Sequence, residues 1–213
     1  MIVLDENEPA FPHPSLAEAD GLLAIGGDLS PQRLLLAYHN GIFPWFSGDE
    51  PICWYAPPQR CVIFPEKMIV RKSMQKVLNK NIFEIRVNTA FEQVIENCKT
   101  IRRKDQHGTW ISGGMQKAYT RLHQLGAAHS IETWQGNALV GGMYGVAIND
   151  VFCGESMFSK VSNASKAALI WLCKSGRYKL LDCQVPNDHL LSLGAVMISR
   201  QNFLDILQRK STA

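Results

Sequence analysis

The stretch Val151-Phe152-Cys153-Gly154-Glu155-Ser156-Met157-Phe158-Ser159 decides the fold. It reads as a β-strand whose alternation puts Phe152, Gly154, Ser156 and Phe158 on one face and Cys153, Glu155 and Met157 on the other. A carboxylate between a cysteine and a methionine is out of place on a core face, because an ionised Glu is expensive to bury unpaired. Glu155 must then reach solvent or meet a cation. An apolar slot holding one carboxylate suits an apolar side chain that carries an ammonium group.

Working outward, this strand closes a three-strand meander. Ala128 to Gln135, the turn Gly136-Asn137, Ala138 to Ile148, the turn Asn149-Asp150 and Val151 to Phe158 follow one another, and both turns use residues tolerant of positive φ. Ser162-Asn163 caps a helix over Ala164 to Lys174. A strand over Lys179 to Val185 follows, with Leu180, Asp182 and Gln184 expected on one face, and Pro186 ends it. A helical turn opens at Asn187-Asp188-His189, Val196 to Ser199 is a last strand, and Gln201 to Arg209 a last helix.

Before the meander, helices are expected over Val70 to Leu78, Thr89 to Asn97 and Gly114 to Leu125, after a strand-like run from Cys61 to Phe64. Residues 1–62 differ in texture: prolines cluster at 9, 12, 14, 31, 44, 51, 57 and 58, with one short helix after Ser30-Pro31. The aromatic run Phe43-Pro44-Trp45-Phe46 and Cys53-Trp54-Tyr55 closes a small domain or supplies a wall for a base or a pocket. The expected class is α+β: a small N-terminal α/β domain (1–62) and a larger domain (63–213) with a mainly antiparallel sheet. The element order of the second domain is compatible with the acyltransferase fold of the N-acetyltransferases. Those enzymes cradle coenzyme A pyrophosphate on a Gly-rich strand–helix junction. Here the junction is Ser159-Lys160-Val161-Ser162-Asn163-Ala164-Ser165, without glycine, so no cofactor is expected.

The 213 residues are 46% hydrophobic and 19% charged, with a net charge of +3. This is the composition of a globular chain and is only mildly basic. The six cysteines form no CxxC pair and no Cys/His spacing of a zinc site, so free thiols and no metal are expected. The acidic, proline-punctuated start is not a signal peptide, and no apolar run approaches the ~20 residues of a membrane span, which points to the cytoplasm and no membrane. Positive charge is concentrated instead: Arg71, Lys72, Lys76 and Lys80 on one helix, then Lys99, Arg102, Arg103 and Lys104. Such a row is either a solvated face or a phosphate-backbone site.

Gly154-Glu155-Ser156-Met157-Phe158 lacks the second glycine of a GxSxG hydrolase motif and lies within a strand. A nucleophilic Cys153 or Cys183 has no visible activator, and buried structural Cys is the plainer reading. Asp182 and Gln184 are more informative, as two polar residues on an apolar strand. They are a satisfied hydrogen-bond pair at a sheet edge, or Asp182 orients a Gln184 carboxamide that accepts from an attacking amine.

Gly21 to Ser30, Gly41 to Phe46, Gly108 to Ile111, His129 to Glu132, Leu139 to Val146, Phe152 to Ser159, Asn163 to Lys166, Asp182-Cys183-Gln184 and Asn187-Asp188-His189 together resemble the leucyl/phenylalanyl-tRNA–protein transferases, in one order from about Phe11 to Leu207. The resemblance implies transfer of Leu or Phe (also Met) from aminoacyl-tRNA to proteins with N-terminal Arg or Lys, marking them for degradation. It implies an acyltransferase-like second domain. It also implies that Trp45 and Trp110 flank the 3′ adenosine and that Met143, Phe152, Met157 and Leu169 form the apolar pocket. Glu155 would bind a positively charged group, Asn187 would contact substrate, and Asp182 with Gln184 would be catalytic. Arg71, Lys72, Lys76 and Lys80 would hold the acceptor stem. Compared with other members, the segment 173–178 is shorter, the loop from Lys99 to His107 longer and more basic, and the chain stops soon after Leu207. An N-acetyltransferase and a noncatalytic RNA-binding module are the rival readings.

Overall fold

The computed structural model describes residues 2–48, 50–101 and 111–209. The proline-rich start contributes four short strands and one α-helix, besides a 3-10 turn at Pro14–Leu16: β1 (Ile2–Leu4), β2 (Leu22–Gly26), α1 (Pro31–His39), β3 (Phe43–Pro44) and β4 (Cys53–Tyr55). The strands form a small sheet in the order β1-β2-β4-β3. Ser30 caps α1 by accepting from the Arg33 N–H, and Pro31 supplies the first helical residue.

Next come β5 (Gln59–Ile63), α2 (Lys72–Asn79), β6 (Glu84–Val87), α3 (Phe91–Thr100) and α4 (Gly113–Gln124). The meander is β7 (Ala128–Gln135), β8 (Ala138–Ile148) and β9 (Val151–Ser159). The chain ends with α5 (Ala164–Lys174), β10 (Leu180–Gln184), α6 (Asp188–Leu191), β11 (Val196–Ser199) and α7 (Arg200–Gln208). The large sheet has the order β11-β5-β10-β9-β8-β7-β6. Its pairs are antiparallel except β9 with β10. The meander agrees with the sequence expectation to within one residue. β6, which carries no clear alternation, was not expected as a strand.

One face of the large sheet packs on α3 and α4. That core runs without interruption into the small sheet: Trp54, Val62, Val94, Tyr119, Val146 and Phe203 belong to one cluster. The expected boundary at 62/63 falls inside β5, a strand of the large sheet. The other face is covered by α5, where Ala168, Leu169 and Leu172 meet Ile131, Met143, Phe152 and Leu181.

Helix α3 starts two residues later than expected, for a tertiary reason. The buried Glu132 Oε1 accepts from the backbone N–H groups of Thr89 and Ala90, both at 2.8 Å, and so caps the helix from strand β7. The same carboxylate accepts from the Thr89 hydroxyl, from Ser130 Oγ at 2.8 Å and from Trp134 Nε1 at 3.2 Å. Every partner is a donor, so a carboxylate fits and an amide does not. Glu132→Gln should therefore lower unfolding stability by about 3 kcal/mol, measured by urea denaturation.

Candidate functional site

Two one-residue irregularities in adjacent strands create the site. Strand β9 pairs with β8 regularly up to Gly154↔Gly145, and the next pair is Ser156↔Tyr144, so Glu155 is an extra residue. This corrects the expected alternation. Phe152 and Met157, not Phe152 and Phe158, share the α5 face with Met143, while Cys153 and Phe158 join the other core. Gly145 lies opposite the bulge, where an added Cβ would come 2.2 Å from the Cys153 carbonyl oxygen. Only glycine fits there.

Strand β10 repeats the device. Asp182 pairs with Val62 and Gln184 with the neighbouring Cys61, so Cys183 is extra and Gln184 adopts a left-handed φ of 60°. The one-face expectation for Asp182 and Gln184 is therefore overturned. The parallel pairing of β10 with β9 runs to Asp182↔Cys153, next to both bulges. At this parting of the strands lies a cavity of about 650 Å³.

Its polar floor is built from buried charge. Arg60, missed by sequence reasoning, donates from Nε to Asp182 Oδ1 at 2.8 Å and from Nη2 to Oδ2 at 2.7 Å. Its Nη1 donates to the Gly41 carbonyl at 3.0 Å, and its guanidinium lies 4.6 Å from the ring centroids of both Phe43 and Phe203. Asp182 Oδ1 also accepts from the Gln184 backbone N–H at 2.9 Å. Asp182 was expected to orient the Gln184 carboxamide, and it holds the Gln184 backbone instead. The carboxamide nitrogen donates to Glu155 Oε1 at 2.8 Å, which leaves its oxygen as an acceptor.

Glu155 Oε2 accepts from the Tyr119 hydroxyl at 3.0 Å. Burial pushes the Glu155 pKa up to about 7, against hydrogen bonds from Tyr38, Tyr119 and Gln184 that pull it down. Its hydrogen-bonding partners are neutral. The expected choice between solvent and a cationic partner resolves as a carboxylate that lines the cavity. Tyr119 lies within the helix expected over Gly114 to Leu125, and Arg60 stands at the head of an apolar strand; neither carries a local sign of its partner.

The walls are apolar. Met143, Phe152, Met157 and Leu169 all line the cavity, as does Leu181. Trp45, 43% exposed, forms part of the opposite wall with Phe43 and Pro44, edge-on to Tyr55. Asn187, which caps α6 by accepting from the Leu190 N–H at 2.9 Å, and His189 also line the cavity. Trp110 lies outside the described residues, as do Arg102, Arg103 and Lys104. The basic group is elsewhere: Arg71, Lys72, Lys76 and Lys80 are exposed on and beside α2, outside the cavity lining. Met74 of α2 packs on Ala167 and Ile170 of α5, and α5 also delivers Leu169 to the cavity. The basic face thus rides on the helix that walls the cavity.

The family described as "Leucyl/phenylalanyl-tRNA protein transferase" matches residues 62–208, and its N-terminal domain matches residues 27–58. A Flavobacterium psychrophilum protein named leucyl/phenylalanyl-tRNA–protein transferase is 57% identical over 205 residues, covering 95% of this chain and 97% of the relative. A relative of the same name from Escherichia coli O157:H7 is 50% identical over 214 residues, covering 98% and 90%. Among solved structures, that of L-PGS from Bacillus licheniformis aligns with a TM-score of 0.41 at 13% identity, covering 78% of this chain and 54% of that one, a likeness too distant to carry weight.

The raised pKa of Glu155 has a stability consequence. Between the ordinary carboxylate range and about pH 7 the folded protein keeps a proton that the unfolded chain has released. Stability therefore falls as pH rises through that window. Glu155→Gln removes the effect: its unfolding free energy by urea denaturation should exceed the parent's at pH 8, by at most about 3 kcal/mol, and equal it at pH 4.

Proposed function

Because the chain belongs to the leucyl/phenylalanyl-tRNA–protein transferase family, we propose that its cavity transfers Leu or Phe (also Met) from aminoacyl-tRNA to the N-terminal Arg or Lys of acceptor proteins, marking them for degradation. The observation that carries this reading is an apolar cavity, walled by Met143, Phe152, Met157 and Leu169, whose floor is the hydrogen-bonded pair Glu155–Gln184. The donor's apolar side chain occupies the walls. Flexible Met side chains adapt to Leu, Phe and Met, and β-branched side chains are excluded by shape at a cost of about 1–3 kcal/mol per misfit methyl. Trp45 stacks on the 3′ adenosine in this reading, supported by its exposed position on the cavity wall, with Trp110 assigned the same role by family resemblance. Asn187 contacts the bound substrate at the rim.

In the transfer, the acceptor's amine nitrogen bonds to the ester carbonyl, the carbon–oxygen bond to the ribose breaks, and the ribose oxygen leaves as a hydroxyl. Gln184 places its carboxamide oxygen to accept from the amine. The acceptor's ammonium releases one proton to solvent to become the neutral amine, and Glu155, its pKa raised by burial to about 7, takes the second proton from the attacking amine and passes it to the ribose oxygen. Asp182 acts through Arg60 and the Gln184 backbone. No metal or organic cofactor enters this scheme.

The parallel pair β9/β10 inside an otherwise antiparallel sheet supports an acyltransferase-like architecture. The β9–α5 junction argues against coenzyme A as donor: Ser159 Oγ accepts from the Ser165 N–H at 3.3 Å, so the junction's own side chain meets that helix N–H group. Arg71, Lys72, Lys76 and Lys80 hold the tRNA acceptor stem through its phosphates. No described helix is long and apolar enough to cross a membrane, and a cytoplasmic setting supplies both substrates.

Labelled Phe from Phe-tRNA should appear on an Arg-initiated peptide, and labelled acetyl from acetyl coenzyme A should not; acetyl transfer alone would replace this reading with the acetyltransferase one. Binding of tRNA without peptide product would leave an RNA-binding module. Replacing Lys72 and Lys76 by Ala should reduce the slope of log affinity against log salt by about two, as two phosphate contacts are lost. A short aminoacyl-adenosine donor should react as with the parent enzyme.

A further inference from the structure

Two buried phenols lie directly beneath the carboxylate. Tyr38 comes from α1 and Tyr119 from α4, and they are 1% and 0% exposed. Their hydroxyls bond to each other, and Tyr119 donates to Glu155 Oε2 at 3.0 Å. The Tyr119 ring also packs edge-on against Tyr144, with centroids 5.5 Å apart. Core packing accounts for the rings, since phenylalanine would fill the same space. It does not account for two hydroxyls carried into an apolar core from separate helices, because a buried hydroxyl is costly unless bonded. Here the bonds converge on the Glu155 carboxylate, which lines the cavity.

We propose that Tyr38 and Tyr119 are positioning residues for the transfer reaction: their hydroxyls fix the Glu155 carboxylate at the cavity floor and set the pH at which it accepts a proton from the acceptor amine. This rests on the reading of Glu155 as proton acceptor. Oxygen Oε1 is held by Gln184 and Oε2 by Tyr119, so the carboxylate is pinned at both ends at the one residue that β8 leaves unpaired. A carboxylate that accepts hydrogen bonds favours its ionised form, whereas burial and the nearby Asp182 favour the neutral one. Burial also pushes both phenols above their ordinary range, so they stay protonated and serve as donors.

The other groups around Glu155 belong to four strands. Asp182 and Gln184 are on β10, Arg60 on β5, Tyr144 on β8 and Cys153 on β9. Arg60 is committed to Asp182 by two bonds. Burial and the neighbouring Asp182 hold the Cys153 thiol well above its ordinary range. The tyrosine pair is thus the arrangement on the helical side that stabilises the ionised form.

The test is a titration of Glu155 by carbon-13 NMR in the full chain, its signal assigned by its loss in Glu155→Gln, beside the pH dependence of Phe transfer to an Arg-initiated peptide. Tyr119→Phe should move the carboxyl midpoint upward by about one pH unit, the worth of one charge-assisted hydrogen bond. Transfer on the acidic limb should slow about tenfold, and the rate near pH 6 should fall more than the rate near pH 9. Tyr38→Phe should shift both in the same direction and serves as the second variant if Tyr119→Phe does not fold. A carboxyl midpoint unmoved in the folded variants would overturn the inference, and so would an equal loss of rate at every pH. If Glu155→Gln keeps the parent's rate and acidic limb, the assignment of Glu155 as proton acceptor fails, while the carboxyl titration still decides whether the tyrosines control it.

Discussion

The bidentate ion pair between Arg60 and Asp182 joins residues 122 positions apart in sequence at the place where every part of the site meets. It binds the two neighbouring strands that the Cys183 bulge would otherwise loosen. Through Nη1 it draws in the Gly41 carbonyl, and through its guanidinium faces it is clasped by Phe43 before it in space and Phe203 of the last helix. Desolvating two charges is expensive, and removing one partner of such a pair typically costs about 3–5 kcal/mol. The cost is offset only because the geometry is fully satisfied: both Asp182 oxygens accept from Arg60, and Oδ1 accepts as well from Gln184. Gly41 belongs to this constraint, since a Cβ there would lie 2.8 Å from Leu204 Cδ2.

From that anchor the chemistry follows by short steps. The backbone of Gln184 is held in a left-handed conformation that a non-glycine residue rarely adopts, and its carboxamide then reaches Glu155. Glu155 stands at a second bulge, which places one ionisable side chain between an apolar cavity and a pair of buried phenols. Such a carboxylate destabilises the fold at high pH. In the proposed transfer this is the cost of a group able to exchange a proton near neutrality.

The part of the fold legible in the sequence is the part governed by local rules. The meander obeys strict alternation between Gly136-Asn137 and Asn149-Asp150, and its strands were placed to within one residue. Local rules also placed Ser30 and Pro31 at the head of α1. They failed wherever one residue was answered from far away. Alternation assumes a period of two, so a single extra residue at Glu155 reversed the side assigned to Met157 and Phe158. The misplaced carboxylate and the glycine at position 145 were the visible traces of that bulge. The start of α3 was set by Glu132, more than forty positions later, and nothing around Thr89 announces it. Arg60 looked like the edge of an apolar strand because its partner is on another strand. Family resemblance supplied what periodicity could not, by bringing Trp45, Glu155, Asp182 and Gln184 into one expectation. All four line the same cavity.

In the proposed scheme the Arg60–Asp182 pair positions the transfer site and takes no part in tRNA capture. The most direct test is Asp182→Asn, with turnover of Phe-tRNA and an Arg-initiated peptide measured beside tRNA affinity. Turnover should fall by about a hundredfold, the scale of a small misplacement of reacting groups, with tRNA affinity unchanged. Undiminished turnover in a folded Asp182→Asn protein would rule out this positioning role.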